Sequence, residues 1–157
     1  MEKSVKASVF GSPLTTLLMM AALFTVVGIG TLLGKPLIVP PLIATASYVF
    51  GAPGIPGTQP RSVLAGHFIA ALVGFVVLLV LPSLWGVVVA AGVTALLMNA
   101  LELFHIPAIA TAALVVMQQP VHRVSFTVSL LLGAALICLS GAFLARVTKK
   151  LHYPLYW

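Results

Sequence analysis

The chain has 157 residues, 61% of them hydrophobic and 6% charged, with a mean hydropathy of +1.21. Such values exclude a soluble domain and predict an all-α integral membrane protein: one transmembrane domain over residues 1–157, with no stretch left for a separate soluble unit. The formal charge of +6 comes from eight Lys and Arg scattered singly along loops and ends, without a basic stripe or interleaved aromatics, and this argues against a nucleic-acid partner.

In chain order, Lys3 and Lys6 precede an uncharged stretch of 23 residues at 12–34. It is too long for a signal-peptide core and lacks a small-residue cleavage site, so it reads as an uncleaved first span. Further runs long enough to cross the hydrocarbon as helix lie at about 63–82, 84–104 and 124–145. Two apolar segments, 36–52 and 106–119, are shorter. Beyond their opening prolines each offers about three turns, roughly 18 Å of helix, which does not cross alone. The expected architecture is therefore four full transmembrane helices plus two Pro-opened half-helices. Arg146, Lys149 and Lys150 follow the last span, so the positive-inside rule puts both termini in the cytoplasm, with a bacterial inner membrane as the expected location. Trp85, Tyr153, Tyr156 and Trp157 fall where aromatic belts form, and the single Cys138 lies in an apolar span and excludes a disulfide framework.

The two short segments repeat each other. Pro-x-Ile-Ala-Thr-Ala runs from Pro41 to Ala46 and returns from Pro107 to Ala112. Each is followed by a Gln-Pro turn with an arginine: Gln59, Pro60, Arg61, and Gln119, Pro120, Arg123. The hexads are 66 residues apart and the Gln-Pro pairs 60, which places a six-residue insertion in the "GAPGIPG" region of the first half. Two internal repeats follow, about 12–82 and 84–145. Basic residues favour an inverted pair, with Arg61 on the side of the basic termini and Lys35 and Arg123 on the other.

Proline at the first position of a helix forfeits an N–H that has no partner anyway and supplies a helical φ. Pro41 and Pro107 thus mark helix starts at membrane depth, where irregular backbone survives only against protein or a wet cavity. Two half-helix N-termini, each with a hydroxyl in its first turns (Thr45, Thr111), are expected to make a polar spot favourable to a small anion. Glu102 is the only acidic residue besides Glu2, and an intramembrane carboxylate is a functional candidate. Its i, i+3 spacing to His105 predicts a pair on one helix face. A metal site from that Glu-x-x-His needs carboxylates the chain does not have. Asn99, one turn before Glu102, is expected to bond between helices, and Arg61 and Arg123 either draw anions to a pore mouth or mark loops. Small residues four apart (Gly30 and Gly34; Gly66, Ala70 and Gly74; Ala134, Cys138 and Ala142) predict close helix packing.

The stretches "GTQPRSVLAGHFIAALVG" (57–74) and "LFHIPAIATAAL" (103–114) resemble the HPP family of integral membrane proteins, named for a His-Pro-Pro tripeptide. Here that tripeptide reads His105-Ile106-Pro107, with the first proline replaced. The resemblance covers roughly residues 12–145 and implies a four-span membrane protein and, through plastid and cyanobacterial members, nitrite transport. His67, in the Gly66-His67 pair, and His105 match the family's motif and join Thr45, Thr111, Pro41 and Pro107 as candidate substrate-binding residues, with Glu102, Asn99, Arg61 and Arg123 in support.

No paired-carboxylate site, phosphate loop or Ser-His-Asp set is present, so no enzyme activity, cofactor or metal is expected. The function expected is a transporter or channel for a small inorganic anion, nitrite first, in a homo-oligomer (dimer or trimer). The alternatives are passage of a small neutral solute, or a non-transporting membrane scaffold. With no nucleotide motif, transport is passive or gradient-coupled, and His67, His105 and Glu102 are the candidates for proton coupling.

Overall fold

The computed structural model describes residues 13–37, 39–148 and 153–157. Lys3, Lys6, Lys149 and Lys150, on which the reading of the termini rests, lie outside the described residues. Among the described residues six α-helices follow one another: α1 (Pro13–Leu32), α2 (Pro40–Gly51), α3 (Pro60–Val80), α4 (Leu84–Ala100), α5 (Ile106–Gln118) and α6 (Arg123–Thr148). A single 3-10 turn, Pro56–Thr58, lies between α2 and α3.

Among the described residues three helices are long and apolar enough to cross a bilayer: Pro13–Leu32, Pro60–Val80 and the Arg123–Val147 stretch of α6. The fourth expected span stops early. Ser83 opens α4 by accepting the Gly86 N–H at 3.4 Å, and after 17 residues the helix ends at Ala100. There the Leu103 N–H turns back to the Met98 carbonyl and the Glu102 N–H to Asn99, with Glu102 left-handed at φ 55. This is a Schellman ending. α1 ends the same way, Lys35 N–H on Gly30 and Gly34 N–H on Thr31, with Gly34 at φ 63.

Two helices are short and open at prolines. α2 has 12 residues with Pro40 and Pro41 in its first positions, and α5 has 13 with Pro107 second. They run roughly 18 to 20 Å. α2 starts beside the end of α5, since Val39 and Gln118 line one cavity, and it leads into Gly57, whose backbone meets the start of α5 at Phe104 and His105. The two short helices are therefore antiparallel.

α3 is the hub, packed on α4, α5 and α6, while α2 lies against α1, α5 and α6. Small residues set these distances. A Cβ on Gly74 would lie 2.7 Å from Val115 Cβ and 2.9 Å from the Ala112 carbonyl, and one on Gly66 would lie 3.0 Å from His105 Cβ. Large apolar side chains such as Phe24, Leu84, Val88, Leu96 and Phe143 cover the outside, the inverse of a soluble fold and suited to lipid. Exposed hydroxyls on that surface are internally bonded: Thr25 donates to Ala21 and Thr31 to Val27. Trp85, Tyr156 and Trp157 are exposed. Tyr153 departs from the expected belt: it is buried, with its ring against Gly141.

Candidate functional site

Four polar side chains meet where α2, α3 and α5 converge, and all are fully buried: Thr45, His67, His105 and Thr111. His67 sits two turns into α3. Its Nε2 lies 2.8 Å from Thr45 Oγ1 on α2, and its Nδ1 lies 2.8 Å from Thr111 Oγ1 on α5. His105 occupies the N-cap position of α5 without capping it by its side chain. Its Nε2 reaches the same Thr45 hydroxyl at 3.0 Å and its Nδ1 lies 2.6 Å from the Gly57 carbonyl oxygen. The two imidazoles are edge to face with centroids 5.1 Å apart, and the Tyr48 ring lies 6.0 Å from His105.

The partners fix where the protons are. A carbonyl only accepts, so His105 donates through Nδ1 to Gly57 and, as a neutral ring, accepts at Nε2. The Thr45 hydroxyl donates to that nitrogen and accepts the Nε2–H of His67. This leaves His67 Nδ1 as an acceptor for the Thr111 hydroxyl. One chain of donors results, Thr111 to His67 to Thr45 to His105 to Gly57, and every group in it is satisfied.

The loop between α2 and α3 aims its end. Gln59 donates through Nε2 to Pro53 (2.8 Å) and Ile55 (3.1 Å) and accepts the Leu155 N–H at 2.8 Å, while Thr58 donates to Ile55 at 2.8 Å. Gly57 must be glycine, because a Cβ there would lie 2.5 Å from the Phe104 carbonyl.

Several expectations change. The N-terminal ends of α2 and α5 do not face each other, because antiparallel helices put them at opposite ends of the bundle; their second turns meet instead. Nor do those ends offer many donors. Pro40 and Pro41 have no N–H, the N–H groups of Leu42 and Ile43 turn back to Val39, and that of Ala108 turns back to His105. The side chains, not the helix ends, supply the hydrogen bonds. Pro41 and Pro107 are buried, and the Pro41 carbonyl lies 3.0 Å from Thr45 Oγ1.

Glu102 does not pair with His105. The left-handed turn after α4 takes it off the helix and leaves it exposed. Asn99 is exposed on α4 and stands outside the cluster. Arg61 is exposed at the start of α3, whereas exposed Arg123 lies over the Phe75 ring at 5.7 Å, fourteen residues further along α3 and roughly 21 Å away by helix rise. The two arginines therefore sit at opposite ends of the bundle. Gln59 is buried at the N-cap of α3 while Gln119 is exposed and left-handed at the end of α5, so the two Gln-Pro turns are not used alike.

Gly57 and Tyr48 were not singled out from sequence. A carbonyl has no side-chain signature, although the glycine-proline run of the insertion marks a tight backbone path. Near the start of α2 a cavity of about 350 Å³ is lined by Lys35, Val39, Gln118, His122, Ser125 and Ser129.

Residues 4–154 match the family described as HPP, transmembrane region. A transmembrane protein of Dictyostelium discoideum is 33% identical over 122 residues, covering 73% of this chain. The chain spans 43% of that relative's length. No solved structure matches.

Proposed function

Because the chain belongs to the HPP family of integral membrane proteins, we propose that it is a transporter or channel for a small inorganic anion, with nitrite the first candidate, and that the anion is held at the Thr45, His67, His105 and Thr111 cluster. One observation carries this reading: two short helices from different halves of the chain each place a threonine on one imidazole, His67, at a fully buried point. Buried polar groups at membrane depth are costly and mark pathways. An anion needs fixed donors to replace its hydration, and hydroxyls and ring N–H groups are such donors.

The same geometry supports two inverted repeats, 12–82 and 84–145. Each runs as a helix with a Schellman ending, a Pro-opened short helix and a long helix, and α2 and α5 run in opposite directions. Half-helices at the junction of inverted repeats are where transporters bind substrate. The cavity holding Lys35 and His122 opens less than two turns from Thr45 and serves as an anion entrance. In this reading Arg61 and Arg146 face the cytoplasm with both termini, Lys35 and Arg123 face outward, and the membrane is a bacterial inner membrane. A homo-oligomer completes the thin bundle.

A neutral solute is the second reading, favoured by the absence of any charged side chain among the cluster's hydrogen-bond partners. Nitrite uptake into liposomes carrying the purified protein, against uptake of a small neutral solute, tests the choice. Nitrite flux above protein-free vesicles supports the anion; flux of the neutral solute alone supports the second reading.

A further inference from the structure

Thr45 Oγ1 lies within hydrogen-bonding distance of three groups: His67 Nε2 at 2.8 Å, His105 Nε2 at 3.0 Å and the Pro41 carbonyl at 3.0 Å. A hydroxyl has one proton, so it serves only one of the two acceptor positions at a time. With both rings neutral the proton goes to His105 Nε2, as derived above. If His105 gains a proton at Nε2, that N–H donates to the Thr45 oxygen, the hydroxyl turns to Pro41, and the Nδ1–H stays on Gly57. Every donor again has an acceptor. Thr111 Oγ1 has no such second carbonyl among the described residues, so the cluster is built to take the extra proton at His105 rather than at His67.

The surroundings give that proton a purpose. The titratable groups facing His105 are His67 from α3 and Tyr48 from α2. The 3-10 turn presents backbone, α4 contains no ionisable side chain, and Arg61 and Glu102 are exposed. Among the described residues no Lys or Arg bonds to the cluster, so an anion reaching it meets no fixed cation there, and a buried unpaired charge is strongly disfavoured.

We propose that His105 takes up one proton with each anion and that Thr45 is the switch between its neutral and charged states, so that the protein moves a monovalent anion and a proton together without net charge. The proton comes from water on the entry side, forms the His105 Nε2–H bond, and returns to water on the exit side. No bond between heavy atoms changes. This rests on the anion-transport reading above and specifies its coupling.

The test uses the purified protein in liposomes with an internal pH dye, a nitrite gradient and a potassium-valinomycin clamp, against protein-free vesicles. The expected result is one proton entering per nitrite, an initial rate that rises up to about tenfold per unit of external acidification as the co-substrate becomes tenfold more abundant, and no response to the imposed potential. His105→Gln keeps hydrogen-bonding capacity but takes no proton, and should lose the proton movement and its pH response; Thr25→Val, whose exposed hydroxyl bonds only its own helix, should keep both. Nitrite flux that follows the potential without acidification overturns the coupling and leaves the transport reading standing. One proton per nitrite at the wild-type rate in His105→Gln removes His105 as the carrier. No nitrite flux above the protein-free vesicles overturns the transport reading and the coupling with it. The wild-type measurements need no variant to fold.

Discussion

Thr45 and Thr111, 66 residues apart in the chain, hold the two nitrogens of one imidazole: Thr45 on Nε2 and Thr111 on Nδ1 of His67, each at 2.8 Å. This is where the repeated hexads meet. The relationship is not fully symmetric, because Thr45 alone also reaches His105 and the Pro41 carbonyl.

That asymmetry sets the order of two substitutions. Thr45→Val strands two buried ring nitrogens and Thr111→Val strands one, and each unpartnered buried polar group costs about 1–3 kcal/mol. Thermal unfolding in detergent should show Thr45→Val the less stable, Thr111→Val intermediate, and Thr45→Ser close to wild type. Thr25→Val, where the exposed hydroxyl bonds only its own helix, should change little.

Glu102 forms the left-handed turn after α4 and lies exposed, outside the buried cluster. A left-handed residue is strained with a side chain and relaxed as glycine. Glu102→Gly should hold or raise the unfolding temperature and leave nitrite uptake within twofold of wild type. A tenfold loss of uptake in a folded variant would restore a role for the carboxylate.

Glycine on α3 sets the approach of α5. Gly74→Ala puts a methyl against Val115 and the Ala112 backbone and should cost about 1–3 kcal/mol of stability by overpacking. At Gly92, with nothing within 4 Å of a new Cβ, alanine should be neutral or stabilising by up to about 1 kcal/mol through helix propensity. Unfolding midpoints of the two variants decide it.

Sidedness is equally direct. Cysteines at Arg61 and Arg123, in a Cys138→Ala background, should label from opposite faces of the membrane. Labelling of both from one face would contradict the arrangement of α3 and with it the inverted repeats.

Much of this was legible because proline and hydroxyl residues act locally. Pro41 and Pro107 placed the starts of α2 and α5 within a residue, and the hexad repeat picked out Thr45 and Thr111. The motif resemblance supplied His67 and His105. What the pattern did not carry was three-dimensional. Hydropathy continues past Ala100, so nothing apolar announces that α4 stops there; the backbone bonds at Leu103 and Glu102 do. At α2 the paired prolines remove two of the N–H groups such a site needs, a reason present in the sequence, whereas α5 carries a single proline, Pro107. The Gly57 carbonyl, which orients His105, belongs to a backbone position that no side-chain pattern reports.

The central claim is that the Thr45, His67, His105 and Thr111 cluster holds the transported anion, and the Thr45→Val, Thr111→Val double variant tests it most directly. Initial nitrite uptake should be measured in liposomes at matched amounts of folded protein. Removal of both hydroxyls should lower it at least tenfold, the factor that ~1.4 kcal/mol of lost interaction produces. Wild-type flux through the folded double variant would contradict the claim and make the repeated hexads packing elements.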